Sequence, residues 1–393
     1  MRGDGRQPRT ALTAVLAVVV ALAGAAPAAA AGDPVARALR HAAATGTVAP
    51  AQAAAYRDVL TRARATRDRL RGVRRRELAS VLHIATDLAR RGALTGGRMP
   101  AVFLTLRRNA EWWGAHGPPA PGSPGEQGAR GRRCAPLPAR ARIARVTFAG
   151  SRLVFQYYPG LGLQLQVNGT WATANALLGT DDPLLIARGT ALLGELGALA
   201  VDRDGVLAWE YLFPAFGGRP PWISALSQAT AVQALTRAAV KLGRPDLLPV
   251  AGRAAAAFAV PPPAGVRAGV GRDGSWFVLY SFLPRQRVLN AHLQSLNALF
   301  DLGQASGDPR TQAVYREGLR AARRRIGAFD TGVWSKYANP GRLADLNYHV
   351  LNRDLARGAC RRSGELAICR AADAFASELE RRCPRVQGVA RRG

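Results

Sequence analysis

From residue 173 onward, apolar residues recur at three- and four-residue intervals in one segment after another. Ala231, Ala234, Leu235, Ala238 and Leu242 form one stripe, and Leu289, Leu293, Leu296 and Phe300 a second. Tyr315, Leu319, Ala322 and Ile326 form a third, and Ile368, Ala372, Phe375 and Leu379 a fourth. Such spacing lines one face of a 3.6-residue helix with apolar side chains, and that face must be buried against another element. The links between stripes are short, so successive helices must pack as antiparallel neighbours. The expected fold is mainly α with a small antiparallel β part. Helical hairpins over 222–384 form an α/α toroid-like domain with inserted β-hairpins. No internal repeat is strict enough in sequence to define a solenoid.

Other segments carry different signals. Ala53, Tyr56, Leu60 and Ala63, then Leu78, Val81, Leu82, Ala85 and Leu88, predict helices in an N-terminal region, 32–113. Pro100 opens a further helix that runs to Trp112 and Trp113. Residues 114–140, rich in Pro, Gly and Arg, read as a linker. Over 141–221 the pattern switches to period two at Val146/Phe148, Leu153/Phe155/Tyr157 and Leu163/Leu165/Val167. It predicts a small antiparallel sheet turning at Gly150-Ser151 and Pro159-Gly160, followed by helices. Asp204-Gly205 and Asp273-Gly274 are expected type I′ hairpin turns. Asp181-Asp182 ahead of Pro183 reads as a helix N-cap. Asn168-Gly169-Thr170 reads as a turn.

The N-terminus has the order of a secretory signal peptide over 1–31: Arg2, Arg6 and Arg9, an apolar stretch from Ala11 to Ala26, then Pro27 and the small residues Ala28–Ala31. The protein is therefore expected to be secreted or associated with the cell envelope. No transmembrane domain is expected beyond that segment. In an exported chain four cysteines favour disulfides. Cys360 and Cys369, close in sequence between two helices, are paired, which leaves Cys134 to Cys383. No Cys-x-x-Cys occurs and no histidine lies at ligand spacing from a cysteine, so no metal is expected.

Charge narrows the partners. The chain carries 55 Lys+Arg against 26 Asp+Glu, yet 48% of its residues are hydrophobic, so it is a folded cationic protein rather than a disordered polyelectrolyte. Arg130, Arg132, Arg133, Arg140, Arg142 and Arg145 cluster around the linker, and the tail at 385–393 is basic. Gly160-Leu161-Gly162 lacks the third glycine and strand-to-helix context of a dinucleotide site, and no phosphate-binding loop is present, so no cofactor is expected. Aromatics gather after hairpin and turn signals: Tyr157-Tyr158, Trp209-Glu210-Tyr211, Trp222, Trp276 to Tyr280, and Trp334 to Tyr337, followed by Tyr348-His349. Taken singly each suits core packing. Taken together, as exposed rings with hydroxyls and flanking Arg, they suit the faces and carboxylates of uronic-acid sugars.

These residues carry a resemblance to the D-glucuronyl C5-epimerase family. Pro221 to Ala229, with Trp222 and Gln228, is similar to the family's Trp-x-Ser-x-Met-Ala-Gln-Gly segment. Trp276 to Tyr280 is similar to its Trp-Tyr-x-Glu-Tyr strand, and Val288 to Leu296, with Asn290, to its Val-Leu-Asn-Gly-Phe-x-x-Ser-Leu helix. Phe329-Asp330-Thr331-Gly332 and Asn347-Tyr348-His349 complete the order. Tyr157 to Gln164 and Ala174-Asn175 resemble bacterial members. The resemblance implies C5-epimerisation of D-glucuronyl residues in a heparosan-like acidic polysaccharide, by proton abstraction and return at C5. Its catalytic positions fall on Tyr280, Tyr337 and Tyr348. Its implied substrate-binding positions are Tyr158, Trp222, Gln228, Trp276, Asn290, Arg342 and His349. The implied partner is an acidic polysaccharide containing uronic acid, with no specific nucleic acid, and the oligomeric state stays open. Leu279 stands where the family has Glu, and leucine accepts no proton. Two alternatives therefore stand beside epimerisation: a non-catalytic polysaccharide-binding member, and a uronate lyase on the same scaffold.

Overall fold

The computed structural model describes residues 32–120, 144–269 and 271–383. The signal-peptide reading, most of the linker, the basic tail, Cys134 and the arginines Arg130 to Arg142 lie outside them. Among the described residues, α1 (Pro34–Ala44), α2 (Pro50–Arg69), α3 (Gly72–Arg90) and α4 (Met99–Ala115) form an N-terminal helical group. Asp33 caps α1 by accepting from the Val35 N–H at 3.1 Å, and proline opens α1 and α2. The apolar stripes expected on α2 and α3 are buried, and Tyr56 stacks on Phe103 at 4.4 Å.

A three-stranded antiparallel sheet follows in sequence order: β1 (Arg145–Val146), β2 (Phe155–Tyr158) and β3 (Gly162–Leu165). One carboxylate fixes its second turn. Glu77 of α3 is 4% exposed and accepts the Tyr157 hydroxyl at 2.9 Å and the N–H groups of Gly160 and Gly162 at 2.9 and 2.8 Å. Gly162 has φ +74° and backs onto Val81, a conformation and a fit that only glycine meets without strain.

The rest is one arrangement used four times. The inner helices α5 (Val167–Leu178), α7 (Ala225–Lys241), α9 (Leu289–Ser306) and α11 (Leu346–Ser363) pack side by side in chain order. Each returns through an outer partner: α6 (Pro183–Gly197), α8 (Leu247–Ala255), α10 (Pro309–Arg325) and α12 (Leu366–Arg382). The inner helices therefore run in one direction, as in an α/α toroid. β-Structure enters before α7, α9 and α11: β4 (Val201–Arg203) with β5 (Val206–Ala208), β6 (Arg267–Ala268) with β7 (Trp276–Phe277), and β8 (Arg287–Val288) with β9 (Ala338–Asn339). All of it lies at the N-terminal end of the inner helices. Asp182, Asp308 and Asp345 cap α6, α10 and α11 through their carboxylates. Helices α7 and α9 have inner neighbours on two sides, and α7 is buried nearly along its whole length, mostly through small residues that let backbones approach. No helix of the described residues is long and apolar enough to cross a membrane.

Three local expectations are corrected. Asp204-Gly205 does form the tight turn, with φ of 54° and 91°. Asp273-Gly274 does not: the link from Ala268 to Trp276 is longer, Asp273 stays out of the left-handed region, and its carboxylate binds Arg324 and Arg325 of α10. Asn168-Gly169-Thr170 is the first turn of α5 rather than a loop. The expected exposure of the aromatic clusters also fails. Trp209, Tyr211, Trp222, Trp276 and Trp334 are all at most 6% exposed, because the hairpins fold down over the inner helices.

The Cys360–Cys369 disulfide is present, with an S–S distance of 2.03 Å, and ties the end of α11 to the start of α12; Cys383 is also disulfide-bonded. Closing so short a loop contributes about 2–3 kcal/mol on the chain-entropy account. The Cys360→Ser/Cys369→Ser double variant is expected to lose that much in urea unfolding, and an unchanged midpoint would contradict it.

Candidate active site

Five tyrosines come together at the N-terminal end of the inner helices. Tyr158 ends β2, Tyr211 follows β5, Tyr280 lies three residues past β7, Tyr337 immediately precedes β9, and Tyr348 sits in the first turn of α11. The rings of Tyr337 and Tyr348 meet edge to face, 4.6 Å between centroids. The Tyr337 hydroxyl interacts with those of Tyr280 and Tyr348, and its single proton can serve one of them at a time. A second polar chain runs beside it. The Gln166 side-chain amide donates to the Tyr158 hydroxyl at 3.0 Å and accepts from the Tyr211 hydroxyl at 3.0 Å, and Tyr211 also meets Ser227 Oγ at 2.8 Å. Trp222 backs both chains. It stacks on Tyr211 at 4.1 Å, presents an edge to Tyr280 at 5.8 Å, and anchors its indole N–H on the Phe213 carbonyl at 2.9 Å.

Two guanidinium groups act on the hydroxyls. Arg342 lies over the Tyr337 ring, 5.1 Å from its centroid, and its charge acts on Tyr280, Tyr337 and Tyr348. The Arg145 charge acts on Tyr158, Tyr211 and Tyr348. Its guanidinium fits over Gly169, where a Cβ would stand 3.5 Å away. Burial is the first influence on every one of these hydroxyls and holds them protonated. It pushes Tyr211 up to about 12 and raises Tyr158, Tyr280, Tyr337 and Tyr348, with Tyr337 far above the ordinary phenol range. Tyr348 is the hydroxyl on which both arginines pull downward, against burial and the neighbouring Asp345 carboxylate. Four helix N-termini add partial positive charge at the same end. Cationic charge and phenol hydroxyls thus meet at this end of the helices, which suits an anionic, hydroxyl-bearing ligand.

Asn290, second residue of α9, is fully buried, and both polar atoms of its side chain lack a partner among the described residues. It adjoins the tyrosines, because the preceding Leu289 N–H donates to the Tyr337 carbonyl at 3.2 Å. A buried amide left in that state costs free energy unless a ligand or water meets it.

Three residues expected to bind substrate are placed elsewhere. Gln228 accepts from the Trp209 N–H at 3.0 Å and donates to the Leu207 and Ala254 carbonyls. His349, fully buried, faces the Ser335 N–H and Oγ through Nδ1 and the Phe375 carbonyl through Nε2. Trp276 is stacked between His292 and Phe329. The polar atoms of Gln228 and His349 are committed to the fold, and the Trp276 ring has both faces covered. Leu279 is 7% exposed and packs in the core. By sequence Arg145 belongs with the linker arginines, and Gln166, Ser227 and Tyr211 stand in no catalytic motif. Tyr211 stood in a noted aromatic cluster, and Arg145 stands at the start of a period-two strand; those were the available signals.

Residues 204–373 match the family described as D-glucuronyl C5-epimerase C-terminus, so the resemblance is borne out over that stretch. Tyr211, Tyr280, Tyr337, Arg342 and Tyr348 fall inside it, while Arg145 and Tyr158 precede it. An uncharacterized protein of Methanocaldococcus jannaschii is 28% identical over 161 residues, 39% of this chain and 52% of that protein. The chain thus spans about half the length of the curated relative it matches. The structure of cellobiose 2-epimerase from Bacillus thermoamylovorans is similar over 79% of this chain and 75% of that chain, with a TM-score of 0.44 and 9% identity.

Proposed function

We propose that a chain whose residues 204–373 carry the C5-epimerase C-terminal pattern inverts uronyl residues of an acidic polysaccharide at C5. The observation that carries this reading is the group of hydroxyls Tyr280, Tyr337 and Tyr348, on which Arg342 acts throughout and Arg145 acts at Tyr348. The C5 hydrogen is weakly acidic because it is α to the carboxylate. When it leaves, its electron pair moves into the carboxylate, where the two guanidiniums stabilise the added charge. Tyr348, which both arginines favour as phenolate, takes the proton from one face. Tyr280 returns a proton to the other face, and Tyr337 passes a proton between them to restore the starting state. Such a relay accounts for inversion without the carboxylate that Leu279 replaces. The basic surplus of 55 against 26 supports a polyanionic substrate, and the N-terminal segment supports export to the envelope or beyond.

A second reading, binding without turnover, draws on one fact: burial raises every hydroxyl of the site, which opposes its use as a base. Incubation with heparosan and other uronate polymers in deuterated water separates the readings. Deuterium at C5 together with inverted uronyl signals is the expected NMR result. Unsaturated chain ends would make the protein a lyase, and retention of a polymer with no exchange would make it a binding protein.

A further inference from the structure

The fourth residue of each inner helix is polar. These residues are Thr170, Gln228, His292 and His349, and all four are fully buried. Each accepts a backbone N–H from the segment that precedes its helix. Val154 donates to Thr170 Oγ1 at 3.1 Å, Trp209 to Gln228 Oε1 at 3.0 Å, Phe277 to His292 Nδ1 at 3.1 Å, and Ser335 to His349 Nδ1 at 3.2 Å. Three of them also reach an outer-element carbonyl 26 residues further on. Gln228 Nε2 meets Ala254 O at 3.4 Å, His292 Nε2 meets Gly318 O at 3.0 Å, and His349 Nε2 meets Phe375 O at 3.0 Å. Thr170 is too short to span the gap. The carbonyl at the same spacing, Leu196 O, is met at 2.7 Å by the Trp209 indole N–H.

The two imidazoles fill this role in one tautomer. Nδ1 faces a backbone N–H and must accept; Nε2 faces a carbonyl and must carry the proton. Each ring lies flat on an indole of the preceding segment: His292 on Trp276 at 3.9 Å and His349 on Trp334 at 3.7 Å. A neutral side-chain amide offers the same acceptor and donor, which is how Gln228 stands in the equivalent place.

Downstream of each held N–H, within four residues, stands a tyrosine of the site: Tyr158 after Val154, Tyr211 after Trp209, Tyr280 after Phe277 and Tyr337 after Ser335. We infer that Thr170, Gln228, His292 and His349 are equivalent positioning residues. They are four copies of one staple that locks a tyrosine-bearing segment onto its helices and so sets where the hydroxyls stand. The catalytic part of this inference rests on the function proposed above; the structural equivalence does not.

The test is interchange. His349→Gln keeps an acceptor and a donor, whereas His349→Leu keeps neither. Amide hydrogen exchange at Ser335, read by NMR, is expected to stay within a few-fold of wild type in the Gln variant and to quicken about tenfold or more in the Leu variant. In uronate exchange, His349→Leu is expected to lower kcat with KM little changed, and His349→Gln to restore it. Nitrogen-15 spectra of wild type should show both rings as the Nε2–H tautomer. If the Leu variant does not fold, Gln228→His carries the test, with Trp209 amide protection retained. Equal exchange at Ser335 in the Gln and Leu variants, loss of Trp209 protection in Gln228→His, or an Nδ1–H tautomer would each overturn the staple. A kcat per folded molecule unchanged in His349→Leu would leave it structural and remove the positioning role. If wild type exchanges no C5 proton at all, the function proposed above fails, while amide protection still judges the staple.

Discussion

Tyr337→Phe is expected to slow C5 inversion about 100-fold or more while leaving the fold and substrate binding in place. Its hydroxyl is the one that meets both Tyr280 and Tyr348, so removing it cuts the row at its centre. General acid–base groups contribute about 10²–10⁴-fold, and a broken relay should lose at least the lower figure. The ring remains, so its edge-to-face contact with Tyr348 and its contact with Arg342 persist. KM should therefore change little, because the guanidiniums that hold the carboxylate are untouched. Tyr348→Phe and Tyr280→Phe should each stop net inversion. Because Tyr348 alone takes the proton, Tyr280→Phe should retain some exchange without inversion. Inversion at the full rate in Tyr337→Phe would contradict the relay, and a large rise in KM alone would move Tyr337 from proton transfer to binding.

Glu378→Gln is expected to stabilise the protein above neutral pH, by an amount that vanishes in acid. Glu378 of α12 is 2% exposed, and no donor among the described residues meets its carboxylate with hydrogen-bond geometry. Burial, then the neighbouring Asp330 carboxyl, pushes it from 4.5 up to about 7. Because the folded value is raised, the folded state holds the proton more tightly than the unfolded chain does. Its contribution is fully present below 4.5, declines as pH rises toward 7, and is gone above that. The shift corresponds to about 3 kcal/mol. Burial lowers His292 and His349 to about 3 and about 4, which gives an opposite slope. Both proteins carry those histidines, so comparing the variant with wild type cancels most of it. Urea unfolding should give nearly equal stabilities near pH 4.5 and a gap of that order at pH 8. A gap that does not change with pH would show that Glu378 is not held protonated.

The helical architecture was legible because it is local. A stripe at three- and four-residue spacing specifies one face of one helix, and short links leave little choice but antiparallel packing. The Cys360–Cys369 bridge followed from closeness in sequence, and Tyr280, Tyr337 and Tyr348 from motifs whose order survives in the chain.

What each polar residue does was decided by tertiary structure. Asn290 and Gln228 are both buried amides near the start of an inner helix, and by residue type they look alike. Asn290 is the second residue of α9 and Gln228 the fourth of α7; two steps of about 100° point them to nearly opposite sides. One therefore lies beside the tyrosines without a partner among the described residues, while the other is bonded between a preceding strand and an outer-element carbonyl. His349 directly follows Tyr348 in the motif, yet one step of about 100° carries it into the core. The fourfold repeat was hidden for a related reason. It is repeated in hydrogen-bond geometry, in which Thr, Gln and His serve as acceptors in one place, so no single residue type marks all four copies. Periodicity within a helix is written in neighbouring residues. The identity of the group facing a side chain from 26 positions away exists only after the helices have packed.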